Sequence, residues 1–437
     1  MTSTQPSSAL ADAVAATGWD ALLPGHRAEG GDQPVGRPRC LVALDLADGL
    51  ALTVVGDETG RVYAVPLVTD SGEVRRALPG DGASAALVGL LGQGSSRVGD
   101  VEVTSWHHRP ADGERGIAVD QTNESVIVGD TAVVKWSFVA DEGPHPAPSL
   151  LQLLDRHGFA GMPQPWGAVQ WRPAAGEAPH LLALVTEFLP GAVDGWTWVV
   201  EDLRAAADDD DPARASTAGV EVGRLVADFH RALASTARQA TEDEVRSWRQ
   251  GAVDDLERAL AVTTGSAHEV LRSHETRVRA LLDAPLDTAG RVLRVHGDLH
   301  VGQVLRTEPD GVAAYALTDF DGNPVVPAAQ RVAEQPAALD VAGMAQSFVH
   351  AGLVVRKHHP DLDAGAVQAA AEAARSGFVA AYVAGLGDLA PLLDSRLVPV
   401  FALRQVCREF IYAATHLPRW SYVPEAALPL LLQGDLP

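Results

Sequence analysis

Only two cysteines, Cys40 and Cys407, occur in 437 residues, far apart and without metal-ligand spacing. That excludes a disulfide framework, and both thiols are expected reduced and structural. Basic charge is also scarce: 34 Lys and Arg face 57 Asp and Glu, a formal net charge of −23. Nucleic-acid phosphates and anionic membrane surfaces both demand a sizeable basic patch, and none is visible, so neither partner is expected. No apolar run approaches the roughly 18 residues that suggest a membrane span. The opening MTSTQPSSALADAVAATGW lacks the basic start and compact apolar stretch of a secretory signal, which makes the cytoplasm the expected location. Lysine is rarest of the cations, found only at Lys135 and Lys357. A lysine kept where arginine is the default points to a need for a compact ammonium. Lys357 has polar neighbours in RKHHPD, whereas Lys135 lies in the apolar run TAVVKW, where an unpaired charge is expensive, so it wants an anionic partner.

With 46% apolar and 21% charged residues the chain reads as an ordinary globular protein, and its length calls for more than one folded unit. Residues 1–110 alternate β-rich runs with Gly and Asp turns, as in CLVALDLA and LALTVVGDETGRVYAVPLV, and read as a sheet-rich N-terminal module. ADGERG is a turn-like junction into a second β-rich segment, 111–196, holding IAVDQTNESVIVGDTAVVKWSFV, a short helix at LLQLLDRHGF and the strand of LLALVTEFLP. From 197 to 437 the apolar residues recur three and four apart, as in AGVEVGRLVADFHRALA, which predicts a helical region interrupted by RVLRVHGDLHVGQVLR and YALTDFDGNP. DDDDP is expected to be a solvated loop, and no internal repeat is visible.

Chemistry concentrates in His296-Gly297-Asp298-Leu299-His300 and, about twenty residues on, Thr318-Asp319-Phe320-Asp321-Gly322. With Lys135 upstream on a strand, this order resembles the catalytic and metal-binding loops of the protein-kinase-like superfamily. The resemblance implies ATP and Mg²⁺ as cofactors. Phosphoryl transfer asks the protein to align donor and acceptor and to neutralise phosphate charge. Asp298 matches the catalytic carboxylate that orients the hydroxyl and takes its proton. Gln303, five residues later, stands where the superfamily has a metal-binding asparagine, and Asp319 matches the second metal ligand. Lys135 is expected on the α- and β-phosphates, and Glu187, Phe188 and Leu189, in TEFLP, match the hinge that holds adenine. Two departures stand out: no acid lies between Glu142 and Asp155 to orient Lys135, and the phosphate-loop position, Asp120 to Ser125, has no glycine.

At closer range LVTEFLPGAVDGW, VGRLVADFHRALA, HGDLHVGQVLRT, DVAGM and REFIYAATHLPRWSYVP look like segments of actinobacterial maltokinases. Those enzymes are similar to aminoglycoside phosphotransferases and carry an N-terminal cap, which implies an α+β, bilobal protein-kinase-like fold behind a β-rich cap domain. This chain has DFDGNP where maltokinases show D-F-E-G-E-P, and Leu339 where they place arginine before the aspartate of DVAGM. That pattern resembles the glucosamine kinases that branch from the maltokinase group, and it implies that Asp340 accepts the sugar ammonium. Glu409 and Tyr412 share a helix face, with Trp420 nearby as a stacking surface, and His300 is a further candidate for a sugar hydroxyl, whereas His230 is expected to be structural. The expected reaction is ATP-dependent phosphorylation of glucosamine at its 6-hydroxyl. Maltose 1-phosphate formation, aminoglycoside phosphorylation and a non-catalytic pseudokinase-like module are the alternatives; monomer and weak dimer both stay open.

Overall fold

A computed structural model describes residues 4–23, 33–70, 72–117, 124–140, 143–174, 177–283, 290–324 and 326–433. The chain divides into two compact units. The first comprises Met1–Asp155, Pro163–Pro190 and Pro324–Val332; the second comprises Arg156–Met162, Gly191–Asn323 and Ala333–Pro437.

In the first unit, helices α1 (Ser8–Thr17) and α2 (Trp19–Leu22) precede an antiparallel meander of β1 (Arg39–Ala47), β2 (Leu50–Gly56), β3 (Val62–Asp70) and β4 (Glu73–Arg76). β2 is buried along nearly its whole length, so its one polar side chain needs an internal partner, and the Thr53 hydroxyl donates to the Val65 carbonyl at 2.8 Å. The GDETG turn forms as expected: Asp57 Oδ1 accepts from the backbone N–H of Thr59 and Arg61, and Gly60 supplies the positive φ of 90°.

After α3 (Ala83–Leu91) come β5 (Ser96–Val98), β6 (Val101–Ser105), β7 (Glu114–Gly116), β8 (Glu124–Val128) and β9 (Ala132–Trp136), then α4 (Pro146–Arg156), β10 (Pro165–Trp171) and β11 (His180–Glu187). β5 to β11 form one seven-stranded sheet in the order β5-β6-β10-β11-β9-β8-β7. The boundary expected near residue 110 therefore falls inside a sheet: β5 and β6, read as part of the cap, pair into the nucleotide-lobe sheet through β10. Both sheets share one apolar core, running from Val14 and Leu52 to Trp136 and Val185. A composition shift located the junction; strand pairing, which is non-local, places it elsewhere.

The second unit opens with α5 (Gly195–Asp208), capped by Asp194, and α6 (Pro212–Leu233), capped by Asp211 with proline in the first turn. β12 (Arg238–Gln239), α7 (Glu242–Val262) with its Thr241/Glu244 capping box, α8 (Gly265–Leu282), β13 (Arg291–Val292) and the hairpin β14 (Val304–Thr307) with β15 (Ala314–Leu317) follow. α9 (Ala328–Arg331) returns to the first unit; α10 (Ala338–His358), α11 (Ala364–Leu386), α12 (Val398–Thr415) and α13 (Tyr422–Gln433) complete the second. α6 and α11 pack almost backbone to backbone, because a Cβ on Gly219 would lie 2.0 Å from the Ala374 carbonyl oxygen and one on Gly223 would lie 2.4 Å from that of Phe378. α10 has the length and mean hydropathy of a membrane span. It carries Asp340 in its first turn, and 78% of its most apolar window is buried inside the protein, as befits the core helix of the unit.

Candidate active site

The segment after β13 is held from below by α10. Asp340, fully buried in the first turn of that helix, accepts the backbone N–H of His296 at 2.8 Å and that of Gly297 at 2.9 Å. His230 Nε2 from α6 lies 3.1 Å from its Oδ2, and His230 Nδ1 lies 2.8 Å from the Tyr382 hydroxyl on α11. Burial pushes the Asp340 carboxyl up, and the His230 hydrogen bond, the histidine charges and the Gly297 amide more than reverse this, holding it below the ordinary carboxylate range. The expectation that Asp340 meets a sugar ammonium is corrected here: it has no exposed surface, and its oxygens are spent on the catalytic segment and His230. His230, expected to be structural, is its buried partner. One and two turns further along α10, Gly343 admits the Leu299 carbonyl, which would lie 2.5 Å from any Cβ there, and Ser347 Oγ accepts the Val301 N–H at 2.9 Å.

Gly297, at φ 82°, turns the chain so that Asp298 follows at the surface of a cavity. Asn323 donates to Asp298 Oδ1 at 2.9 Å. This residue was read only as a departure from the maltokinase pattern; its amide replaces a glutamate and so can donate to the catalytic carboxylate. Burial raises Asp298, His296 opposes, Asp319 adds to the rise and the Asn323 bond opposes it, with a net value of about 6. His296 Nε2 reaches the Thr318 carbonyl at 2.9 Å, which ties this segment to the next motif. Asp319 sits in left-handed backbone at φ 60°, and Gln303 Nε2 lies 3.5 Å from its Oδ2, which makes the two expected metal ligands neighbours. Among the described residues no three His, Cys, Asp or Glu side chains converge as a metal cluster. Mg²⁺ needs none: one or two side-chain oxygens, completed by phosphates and water, suffice, and a carboxylate beside an amide fits.

The cavity measures about 130 Å³, and Asp298, His300, His350, Arg408, Glu409 and Trp420 are on its walls. Burial, aided by His296, lowers the His300 imidazole to about 4, so it enters as a neutral hydrogen-bonding group; its ring lies 5.8 Å from that of Trp196. Burial pushes Glu409 up to about 8, against one hydrogen bond from Gln405 at 3.1 Å. Arg408, which sequence reasoning passed over, is held by Asp255 at 2.9 Å; its neighbourhood in REF gave no hint beyond adjacency to Glu409. Tyr412 is corrected: three residues from Glu409 on the same helix, it is 48% exposed, lies off the cavity and stacks on His416 at 5.3 Å.

The remaining expected residues belong to the first unit. Lys135 is on β9, paired with Leu184 on β11 and Ser125 on β8. The backbone N–H groups of Glu187 and Phe188 already donate to Gln164 and Thr131 at 2.8 Å each. The one acid on α4, Asp155, stands 3.2 Å from His107. Residues 120–123 of the expected phosphate loop, like Glu142, lie outside the described residues; Glu124 and Ser125 open β8.

A carboxylate raised toward neutrality on a glycine turn, an adjoining Gln–Asp pair and a polar cavity lined by an aromatic ring define a phosphotransferase with an alcohol acceptor. No family model matches the chain. It is 47% identical over 396 residues to a glucosamine kinase of Mycolicibacterium smegmatis, covering 89% of this chain and 97% of that one. It is 42% identical over 406 residues to a glucosamine kinase of Streptacidiphilus jiangxiensis, covering 90% and 91%. A solved glucosamine kinase in complex with glucosamine, ADP and inorganic phosphate superposes with a TM-score of 0.81 at 39% identity over 98% of this chain and 99% of that one. The chain belongs to the glucosamine kinase family, and the α+β fold class read from its motifs stands.

Proposed function

We infer that this protein transfers the γ-phosphoryl group of ATP to the 6-hydroxyl of glucosamine. The observation that carries the reading is a single cavity walled by both Asp298 and Glu409, one suited to a hydroxyl and the other to an ammonium. Asp298 orients the 6-hydroxyl and takes its proton as the oxygen attacks phosphorus and ADP departs with the electrons of the broken bond. Its rise to about 6 keeps it ionised at neutral pH while making it a stronger base than an exposed carboxylate. Asn323 fixes one of its oxygens, leaving the other for the substrate. Glu409 takes over the role expected of Asp340, because an entering ammonium offers a buried carboxyl the charge partner that burial otherwise denies it. His300 and Arg408 are assigned to the sugar hydroxyls and Trp420 to its C–H face.

Gln303 and Asp319 would hold Mg²⁺, which supplies charge neutralisation at the phosphates. Lys135 is assigned to the α- and β-phosphates. Since the amides of Glu187 and Phe188 are engaged, the hinge is assigned to adenine through the carbonyls of these residues and through Leu189. A kinase drawing on ATP fits a cytoplasmic location. An ADP-release assay over glucosamine, glucose, maltose and kanamycin, with the product identified by phosphorus NMR, tests the reading. Glucosamine is expected to give the highest kcat/KM and a 6-phosphate; preferential turnover of maltose would replace this reading with the maltokinase one.

A further inference from the structure

Two arginines on α12, Arg404 and Arg408, stand four residues apart and so share one face of the helix. Both direct Nε to the same atom: Asp255 Oδ2, on α7, accepts from Arg404 at 2.8 Å and from Arg408 at 2.9 Å. The three side chains are largely buried, and among the described residues Asp255 is the one ion-pair partner of either arginine. Arg404 lies over Gly251, one turn before Asp255 on α7, where a Cβ would come within 2.8 Å of its Nη2. Only Arg408 reaches the wall of the cavity that holds Asp298 and Glu409; Asp255 and Arg404 stand behind it. Burial and the Arg404 charge lower Arg408 from the ordinary arginine range, and Asp255 opposes them. A guanidinium is a rigid planar fork, so a bond at Nε fixes its direction and leaves Nη1 and Nη2 for other acceptors. Among the described residues neither Nη of Arg408 has a hydrogen-bond partner. The side chain therefore brings to the cavity donors that the protein itself does not use. Without Asp255, two like charges would stand one turn apart with no acid between them, and the long Arg408 side chain would have nothing to hold it.

We propose that Asp255, which does not itself touch the acceptor, is a positioning residue: it holds Arg408 by Nε so that both Nη nitrogens are ready for the hydroxyls of the sugar. A fork held in place binds neutral hydroxyls without first giving up its rotamer freedom, whereas a loose one loses that freedom each time a sugar enters. Asp255 thus acts on sugar affinity, through Arg408 alone, and leaves the chemical step to Asp298. The inference rests on the reading of the cavity as the acceptor site, with Arg408 on the sugar hydroxyls, and extends it to what prepares that arginine.

Asp255→Asn keeps the shape of the side chain and removes its charge. It is expected to raise the KM for glucosamine and for glucose about tenfold, while kcat and the KM for ATP stay within about twofold of the parent. Arg408→Ala is expected to raise the sugar KM roughly thirtyfold. The double variant tests the route: if Asp255 acts only through Arg408, Asp255→Asn adds nothing once Arg408 is gone, and the KM stays near thirtyfold rather than the roughly 300-fold of independent losses. Asp255→Glu is expected to recover part of the loss. Arg404→Gln leaves the acid to Arg408 alone, so it should keep the sugar KM within about twofold of the parent. Losses that multiply in the double variant, an Arg404→Gln as impaired as Asp255→Asn, or a fall in kcat at unchanged sugar KM would each mark Asp255 as a packing residue and overturn the inference. Should Asp255→Asn fail to fold by circular dichroism, the same cycle is run with Asp255→Glu, whose smaller loss must also vanish beside Arg408→Ala. The unsubstituted enzyme is assayed first. Turnover of another acceptor in place of glucosamine removes the glucosamine reading alone, and the cycle is then run on that acceptor; turnover of none removes both.

Discussion

Replacing Asp340 by asparagine keeps the shape of the side chain while removing its charge and one acceptor. In the native protein its two oxygens take the N–H groups of His296 and Gly297 at 2.8 and 2.9 Å, and His230 at 3.1 Å. Asparagine can satisfy one backbone N–H with its oxygen, but its amino group must then face another donor. Leaving one buried donor unsatisfied costs roughly 1–3 kcal/mol, and the retained bond loses its charge assistance. For a cooperative unit of about 150–250 residues, each kcal/mol lowers Tm by roughly 2–4 °C. Because the native pKa is depressed, this stabilisation is fully present above the unfolded value of about 3.9 and fades as pH falls through the native one, so the deficit of the variant shrinks in acid. Catalysis suffers through position: a displacement of about 1 Å at the reacting group can cost about 10²-fold. The expected result is therefore a lower Tm by calorimetry, with kcat/KM reduced about 10- to 100-fold and by the same factor for glucosamine and glucose. A loss confined to glucosamine at unchanged Tm would refute the loop-holding role and restore Asp340 as the amino-group acceptor.

Asp298→Asn is expected to preserve the fold while lowering turnover by about two or more orders of magnitude, and kcat/KM of the native enzyme should climb with pH and level off above about 6 as Asp298 ionises. A profile flat to pH 4 would remove Asp298 as the base. Asp319→Ala should abolish Mg²⁺-dependent turnover, since the phosphates then lose their cation; an unchanged Mg²⁺ titration would exclude it as a ligand. Glu409→Gln mimics the neutral acid but cannot ionise, so kcat/KM for glucosamine should fall roughly thirtyfold, the equivalent of about 2 kcal/mol, with glucose affected far less. In the sugar-free enzyme the same change should stabilise: a carboxyl raised to about 8 penalises the folded state increasingly as pH rises from about 4.3 to 8, so the Tm of the variant should gain on its parent over that window. A constant Tm difference would contradict the raised value.

What could be read from the chain divides along the range of the interactions. Local signals carried well: GDETG gave its hairpin, the 3.6-residue periodicity gave α6, and the two loop motifs lie side by side, His296 against Thr318 and Gln303 against Asp319. That β5 and β6 join the second sheet was not legible, because β6 finds its partner in β10, some sixty residues away, and no local composition encodes that pairing. Tyr412 failed for a smaller reason: three residues leave it only about 60° around the helix from Glu409 but nearly one turn further along, and that step carries it past the cavity wall to an exposed position. Asp340 is the instructive case. A carboxylate freed of its neighbouring arginine looked available to a ligand, yet availability depends on two other helices and a loop that surround it, and it is completely buried. A buried acid is ionised only where the fold supplies donors. Asp340 has two backbone amides and a histidine, and its carboxyl is held below the ordinary range; Glu409 has one amide, and burial pushes it up to about 8. Both acids were expected at the sugar, and the difference between them lies in how many N–H groups point at each.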